Sequence, residues 1–216
     1  MKIIETIPFQ LPIQEILQLL TSAKGREEQK EPPKSLLTEV EKLLEFAKPF
    51  IKPKALYDFF PSQQLSPRFL FTKAEGTILC VCTIGKALEE ESNKLINKGE
   101  LSQAVILDAI ASCAAEAVAE ESYQIICKEI GAKFPGRKFT HRFSPGYCRW
   151  PLEEGQRTIF NLLPAEKIDV RLTSSFLMIP QKSISFAVNV GLEIDPLLGL
   201  RECHTCDLLN CSFRRE

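Results

Sequence analysis

The sequence has little that would commit the protein to nucleic acid or to a membrane. Its 216 residues carry 27 Lys and Arg against 28 Asp and Glu. No global field therefore draws a polyanion, and any cationic role must be local. No apolar run approaches the roughly 20 residues of a membrane-spanning helix. The N-terminus, Met1-Lys2-Ile3-Ile4-Glu5, lacks the apolar core of a signal peptide. Internal repeats and low-complexity tracts are also missing. These absences lead to the expectation of a soluble, cytoplasmic protein with no nucleic-acid and no membrane partner. The length suits one domain or two small ones with a proper core. Cysteine is not scarce: eight in a reducing compartment argue for free thiols, metal ligands or core packing, not a disulfide framework.

Histidine occurs twice and tryptophan once, and His141 and Trp150 both fall in one stretch, Thr140 to Leu163. Pro145 sets its own φ and biases Ser144 toward extended backbone, and Gly146 allows a sharp bend. Few torsions are free, so Arg142 and Tyr147 are presented at defined positions. A helix begins after Pro151, with Ile159, Phe160, Leu162 and Leu163 anchoring it to a core. A rigid, aromatic, cationic loop pinned by a helix is suited to a ligand. An ordinary buried Pro-Gly turn is the competing reading.

The rest of the chain supplies a scaffold. A short strand and an amphipathic helix occupy residues 1–23, with Ile13, Ile16, Leu17, Leu19 and Leu20 near helical spacing. A charged loop spans 23–34. A second helix follows, with Ser35 as its N-cap and Leu36, Leu37, Val40, Leu43, Leu44 and Phe46 apolar, and Pro49 and Pro53 stop it. Phe69–Thr72 and Thr77–Thr83 read as a β-hairpin across a link containing Gly76. Cys80 and Cys82 share one face of its second strand and suit core filling better than ligation. A helix over 86–98 ends at Gly99. The longest helix is expected from Ser102 to Ile130, ~40 Å long, ended by Gly131. Its centre is rich in alanine, so a sheet or a ligand can approach closely. Asp108, Ser112, Glu116 and Glu120 recur every fourth residue along one stripe, either a solvated face or a functional line. Strands are expected over 168–175 and 183–190, joined across Pro180, and a Pro/Gly-punctuated link over 192–200. Three segments result: a helical arm over 1–55, a main domain over 56–195 and a Cys-rich tail over 196–216. The fold class is α+β, a mostly antiparallel sheet with long packed helices.

Two motifs carry a family resemblance. Arg142-x-Ser144-Pro145-Gly146-Tyr147, followed by Pro151 and a helix, precedes Leu172-Thr173-Ser174-Ser175-Phe176-Leu177-Met178-Ile179-Pro180 and Ser183-Ile184-Ser185. In order and spacing, over about residues 104–190, this resembles the activation domain of cobalamin-dependent methionine synthase. The segments Leu107–Ala111 and Ala114–Glu120 resemble that domain's long helix. In a chain of this length, the resemblance implies a free-standing, helmet-like version of the domain.

The resemblance implies S-adenosylmethionine as ligand and a cobalamin carried by a partner, either methionine synthase or another corrinoid protein. It implies reductive remethylation of cobalamin that has slipped to the inactive cob(II) state, with an electron donor required. Arg142 and backbone groups at Ser144 would hold S-adenosylmethionine, with Glu116 beside it. Gly146 and Tyr147 would border the corrin, Tyr147 touching the corrin or its axial water. The guanidinium of Arg142 can engage a carboxylate bidentately, and Glu116 complements an ammonium or sulfonium. The protein would mainly supply proximity and alignment, with no side-chain general base. The chain departs from the family pattern at Ser174, where glutamate is usual, and at Phe186, where glycine is usual. The family's Tyr-rich segment has no counterpart after Val190. These departures point to a rebuilt pocket.

The tail is a separate signal. Cys203, Cys206 and Cys211 form C-x2-C-x4-C beside His204, three thiolates of a metal set. A zinc site, an iron–sulfur cluster and three unligated thiols all fit, and the fourth ligand could be His204, Cys148 or an external group. Two rival functions follow: a non-catalytic corrinoid-protein binding module, and a small metal-bearing electron-transfer protein.

Overall fold

Eight consecutive residues, Gly76 to Thr83, are all buried and form the centre of the molecule. A strand covered on both faces needs no polar alternation, which is why Ile78-Leu79-Cys80-Val81-Cys82 is uniformly apolar. The computed structural model describes residues 1–22, 32–147 and 149–198. In chain order its elements are β1 (Lys2–Ile4), α1 (Ile13–Ser22), α2 (Lys34–Ala47), β2 (Lys54–Pro61), α3 (Arg68–Phe71), β3 (Gly76–Thr83), α4 (Ala87–Asn97), α5 (Leu101–Lys133), β4 (Lys138–Phe139), α6 (Leu152–Leu162), β5 (Arg171–Leu172), β6 (Met178–Ile179) and β7 (Ser183–Gly191). Five strands pair in the order β1-β2-β3-β7-β4, every pairing antiparallel, and β5 with β6 makes a separate two-stranded ribbon. The α+β class expected from the sequence is the class observed.

Period-2 alternation divides the sheet into two cores. Ala55, Tyr57, Ile78, Cys80, Cys82, Phe186 and Val188 face a layer built from α1, α2, α4 and α5. Leu56, Leu79, Val81 and Ala187 face the other way, toward Phe71, Phe143, Trp150, Ile159 and Leu163. Helix α5 is 33 residues long, ~50 Å by helical rise, and touches α1, α2, α4, β3 and β7. Neighbours on several sides explain its lack of a single apolar stripe, and its buried Ala109, Ala111, Ala114, Ala115 and Ala119 let them approach closely. It is also long and apolar enough to cross a membrane, which corrects the expectation that no such run exists; 14 of its 33 residues are buried inside the fold.

Several boundaries differ from the sequence expectation. The partner of β3 is β2, not residues 69–72, which form a helical turn after Pro67. Strand β2 escaped notice because Tyr57-Asp58-Phe59-Phe60 is buried or half-buried on both faces and shows no clean alternation. Pro33 is the N-cap of α2, with φ −54° and ψ 138°, and Ser35 lies inside the helix. Helix α5 runs through Gly131 and stops at Phe134, because the residue before Pro135 is pushed out of the α region. Gly131 instead receives the Phe139 ring, 3.6 Å from where a Cβ would stand. The strand expected over 168–175 is a 3-10 turn, Ala165–Ile168, followed by the short β5. Residues 1–55, expected as an arm, contribute β1 to the sheet and Ile16, Leu17, Val40, Leu43 and Leu44 to the α5 core.

One polar clip ties this front part to α5. Glu129 accepts from Lys133 at 2.9 Å, from Lys2 at 2.5 Å and from the Tyr57 hydroxyl. These donors, Lys133 first, pull its carboxyl down to about 2, while burial and Glu129 push the Tyr57 hydroxyl well above its usual range. A depressed carboxyl contributes stability above its unfolded pKa, and loses it as pH falls through the folded value. Glu129→Gln should therefore lower the melting temperature near pH 6, with the deficit closing between about pH 4.5 and pH 2. Thermal melts of both proteins across that range check this; a deficit independent of pH would assign the effect elsewhere.

Candidate functional site

The stripe on α5 is not an idle solvated face, because two cations from other elements meet it. Lys182, just before β7, bonds Asp108 Oδ1 at 2.7 Å and Ser112 Oγ at 2.9 Å. Arg142 bonds Glu116 Oε2 through Nη2 at 2.7 Å and Glu120 Oε2 through Nε at 3.2 Å. Its side chain is 7% exposed, against 37% for Glu116 and 47% for Glu120. Burial works against the guanidinium charge, but Glu116 and Glu120 more than offset it and hold Arg142 above its usual pKa. The pair Arg142 and Glu116, singled out in the sequence, is thus one contact in the fold.

Sequence reasoning missed the residues that place Arg142. Thr140 N–H donates to the Asn189 carbonyl at 3.1 Å and Thr140 Oγ1 accepts the Asn189 N–H at 3.0 Å, so residues 140–143 continue β4 along the edge of β7. Asn189 is buried and fully engaged, accepting from Thr77 at 2.8 Å and donating to the Leu70 carbonyl at 2.7 Å. Tyr123 of α5 stacks on His141 and donates to the Thr140 carbonyl at 3.1 Å. Tyr123, seven residues after Glu116, shares its helix face, and that spacing was the available signal.

Beyond Arg142 the chain crosses to the other side of the sheet. Phe143 bridges Ala187 and packs in the second core with Phe71 and Trp150. The turn that follows closes on itself: Tyr147 N–H donates to the Ser144 carbonyl at 3.0 Å, Trp150 N–H to the Tyr147 carbonyl at 2.8 Å, and Gly146 N–H to the Trp150 carbonyl at 2.7 Å. Gly146 has φ +87°, which glycine adopts freely. Trp150 is 1% exposed and its indole N–H has no acceptor among the described residues. Burying an indole gains roughly 4–6 kcal/mol at ~25 cal/mol per Å², against a cost of about 1–3 kcal/mol for the orphan donor, so packing wins. The outer side of this turn differs: Tyr147 is 61% exposed, and Leu152, also exposed, lies beside Gly146.

Residues 69–191, more than half of the chain, match the family model described as vitamin B12 dependent methionine synthase, activation domain. The chain belongs to that family. Among solved structures it is similar to the MetH reactivation domain bound to AdoHcy, with a TM-score of 0.64 and 14% identity over 95% of this chain and 84% of that one. At that identity the likeness is one of fold. No curated protein matches the sequence.

Within this activation-domain fold, Arg142 meets Glu116 of α5, while Ser144, Gly146 and Tyr147 belong to a turn set against α6. Phe186 is fully buried in the α5-side core, opposite Cys80. The cysteines among the described residues are free thiols. Burial pushes Cys82 and Cys127 up to about 12 and Cys113 to about 11, so Cys80 and Cys82 behave as core, with Arg142 near enough to pull slightly the other way. No group of three or more metal-ligating side chains occurs among the described residues. Cys148 and the tail residues Cys203, His204, Cys206 and Cys211 lie outside them.

Gly155 of α6 is the contact that seats the turn. A Cβ there would stand 2.6 Å from Pro145 Cβ and 2.9 Å from the Trp150 ring. Gly155→Ala should lower stability by about 1–2 kcal/mol, because overpacking against two rigid rings outweighs the ~1 kcal/mol gain in helix propensity. The corresponding fall in melting temperature is a few degrees. An unchanged or higher melting temperature would show that the turn yields instead.

Proposed function

We propose that this activation domain binds S-adenosylmethionine beside Arg142 and Glu116 and reductively remethylates the corrinoid of a partner, methionine synthase or another corrinoid methyltransferase. The observation that carries the reading is the buried guanidinium of Arg142, held by Glu116 and Glu120 within the region that matches the family. Binding of AdoHcy by the MetH reactivation domain supports the same ligand class. A guanidinium restrained at two nitrogens is poised for bidentate exchange of one carboxylate for another. Glu116 then serves the ligand's ammonium or sulfonium.

When bound, the ligand supplies the methyl group and the reduced corrinoid of the partner supplies the nucleophile, after one electron from a donor. The protein's own part is to orient the methyl and shape the docking face. Tyr147 and Leu152 expose apolar surface on either side of Gly146, a step against which a flat macrocycle can rest. The spacing of Cys203, Cys206 and Cys211 suits a metal.

Calorimetry tests the ligand. Arg142→Ala should weaken S-adenosylmethionine by about 2 kcal/mol, the loss of charge-assisted bonds, with Arg142→Lys as the better-folded companion. No binding by the wild-type protein would leave the corrinoid-protein binding module and the metal-bearing electron-transfer protein as the surviving readings. Tyr147→Ala should leave ligand affinity nearly unchanged and slow methylcobalamin formation on a reduced corrinoid protein, followed by absorbance. Loss of ligand binding with normal turnover at saturation would place Tyr147 in the wrong site.

A further inference from the structure

Resting on that reading of the ligand, we infer that Thr140 is a positioning residue of the site: its hydroxyl latches a one-residue bulge that turns Arg142 onto α5. Strand pairing reveals the bulge. Phe139 pairs with Val190 and Phe143 with Ala187, so four steps along one strand, 139 to 143, meet three along the other, 190 to 187. One residue between Phe139 and Phe143 is therefore extra. It is His141, whose N–H leaves the ladder and donates to the Pro196 carbonyl at 3.1 Å.

The extra residue decides which way Arg142 points. In a regular strand, residues four apart share a face. Phe139 instead packs with the α5-side core and Phe143 with the opposite one, so the faces exchange between them. A one-residue change of register moves every following side chain to the other face. Without the bulge, Arg142 would enter the apolar second core and Phe143 would lie against α5. With it, the guanidinium reaches Glu116 at 2.7 Å.

A broken ladder needs substitute bonds, because buried backbone groups must be paired. The Asn189 N–H donates to Thr140 Oγ1 at 3.0 Å, so the side chain stands in for the Thr140 carbonyl. That carbonyl is left for α5, where it accepts the Tyr123 hydroxyl at 3.1 Å. Thr140 is fully buried, so water cannot take over either bond. The aim of Arg142 thus requires a hydroxyl at position 140, and Tyr123 fixes the same bulge from the helix.

The test reads Arg142 first and the ligand second, both on the full chain. The Arg142 Nε–H, which donates to Glu120 at 3.2 Å, should give a resolved NMR resonance, assigned by its loss in Arg142→Lys. Its absence from wild-type protein overturns the inference. Thr140→Val keeps the shape and loses the acceptor; it should move or broaden that resonance and weaken S-adenosylmethionine at least about tenfold by calorimetry. Thr140→Ser should restore the resonance and bring affinity within about twofold of wild type. If Thr140→Val does not fold, Tyr123→Phe decides, because it keeps the ring and loses only the bond to Thr140. It should move the resonance and weaken the ligand about three- to tenfold. A lower melting temperature with an unmoved resonance would mean that the hydroxyl only stabilises the sheet edge, and the inference falls. A moved resonance with unchanged affinity overturns it too, as does a Thr140→Ser protein that behaves like Thr140→Val. If the resonance moves as expected but wild-type protein binds no S-adenosylmethionine, the ligand reading falls and the placement of Arg142 by Thr140 stands.

Discussion

The structure depends on one buried cation. Arg142 lies between the sheet edge and α5, where removing a guanidinium from water costs several kcal/mol unless carboxylates and hydrogen bonds replace its hydration. Glu116 and Glu120 do so from α5. That geometry requires α5 to sit close to the sheet, and the buried alanines at 109, 111, 114, 115 and 119 allow it. It also requires residues 140–143 to hold register along β7, which Thr140, Asn189 and the stacked Tyr123–His141 pair enforce. The long helix, the edge strand and the charge stripe are three parts of one arrangement.

The second core gives the same chain a separate surface. After Arg142 faces α5, Phe143 turns to the opposite side of the sheet, and the Ser144–Trp150 turn closes on itself against α6. Pro145 and Trp150 press on Gly155 with no room for a side chain, so the turn and α6 are held as one unit. The inner side is rigid and apolar, and the outer side leaves Tyr147 exposed. Arg142, turned to α5, and Tyr147, on the outer side of the turn, are thus presented to different surroundings although only five residues apart in sequence.

Much of this was legible beforehand. The i, i+4 recurrence of Asp108, Ser112, Glu116 and Glu120 predicts a shared face, and the face exists because 3.6 residues per turn leaves no alternative in a helix. Local rules also located β7, α4 and α6. They failed where burial on both sides erased periodicity. Strand β2 shows no alternation to read, whereas the apolar Phe69–Phe71 run has the look of a strand and forms a helical turn. Gly131 is a weaker helix stop than Pro135, so α5 runs on to Lys133.

By itself, the sequence determined the α+β class, the long alanine-rich helix, the stiff Pro-Gly turn and the motif that names the family. Each follows from local torsional preference or from spacing along one element, which need no distant partner. Only the tertiary structure decided that the acidic stripe is answered by Arg142 and Lys182. It alone decided that Glu120 shares the guanidinium with Glu116, and that Gly155 is where the turn meets α6. The charge contacts join residues tens of positions apart, Arg142 and Glu116 being separated by 26, and the Gly155 contact joins a turn to a different element. Their existence depends on sheet register and on how closely α5 packs, quantities that the whole core sets together and no local pattern encodes.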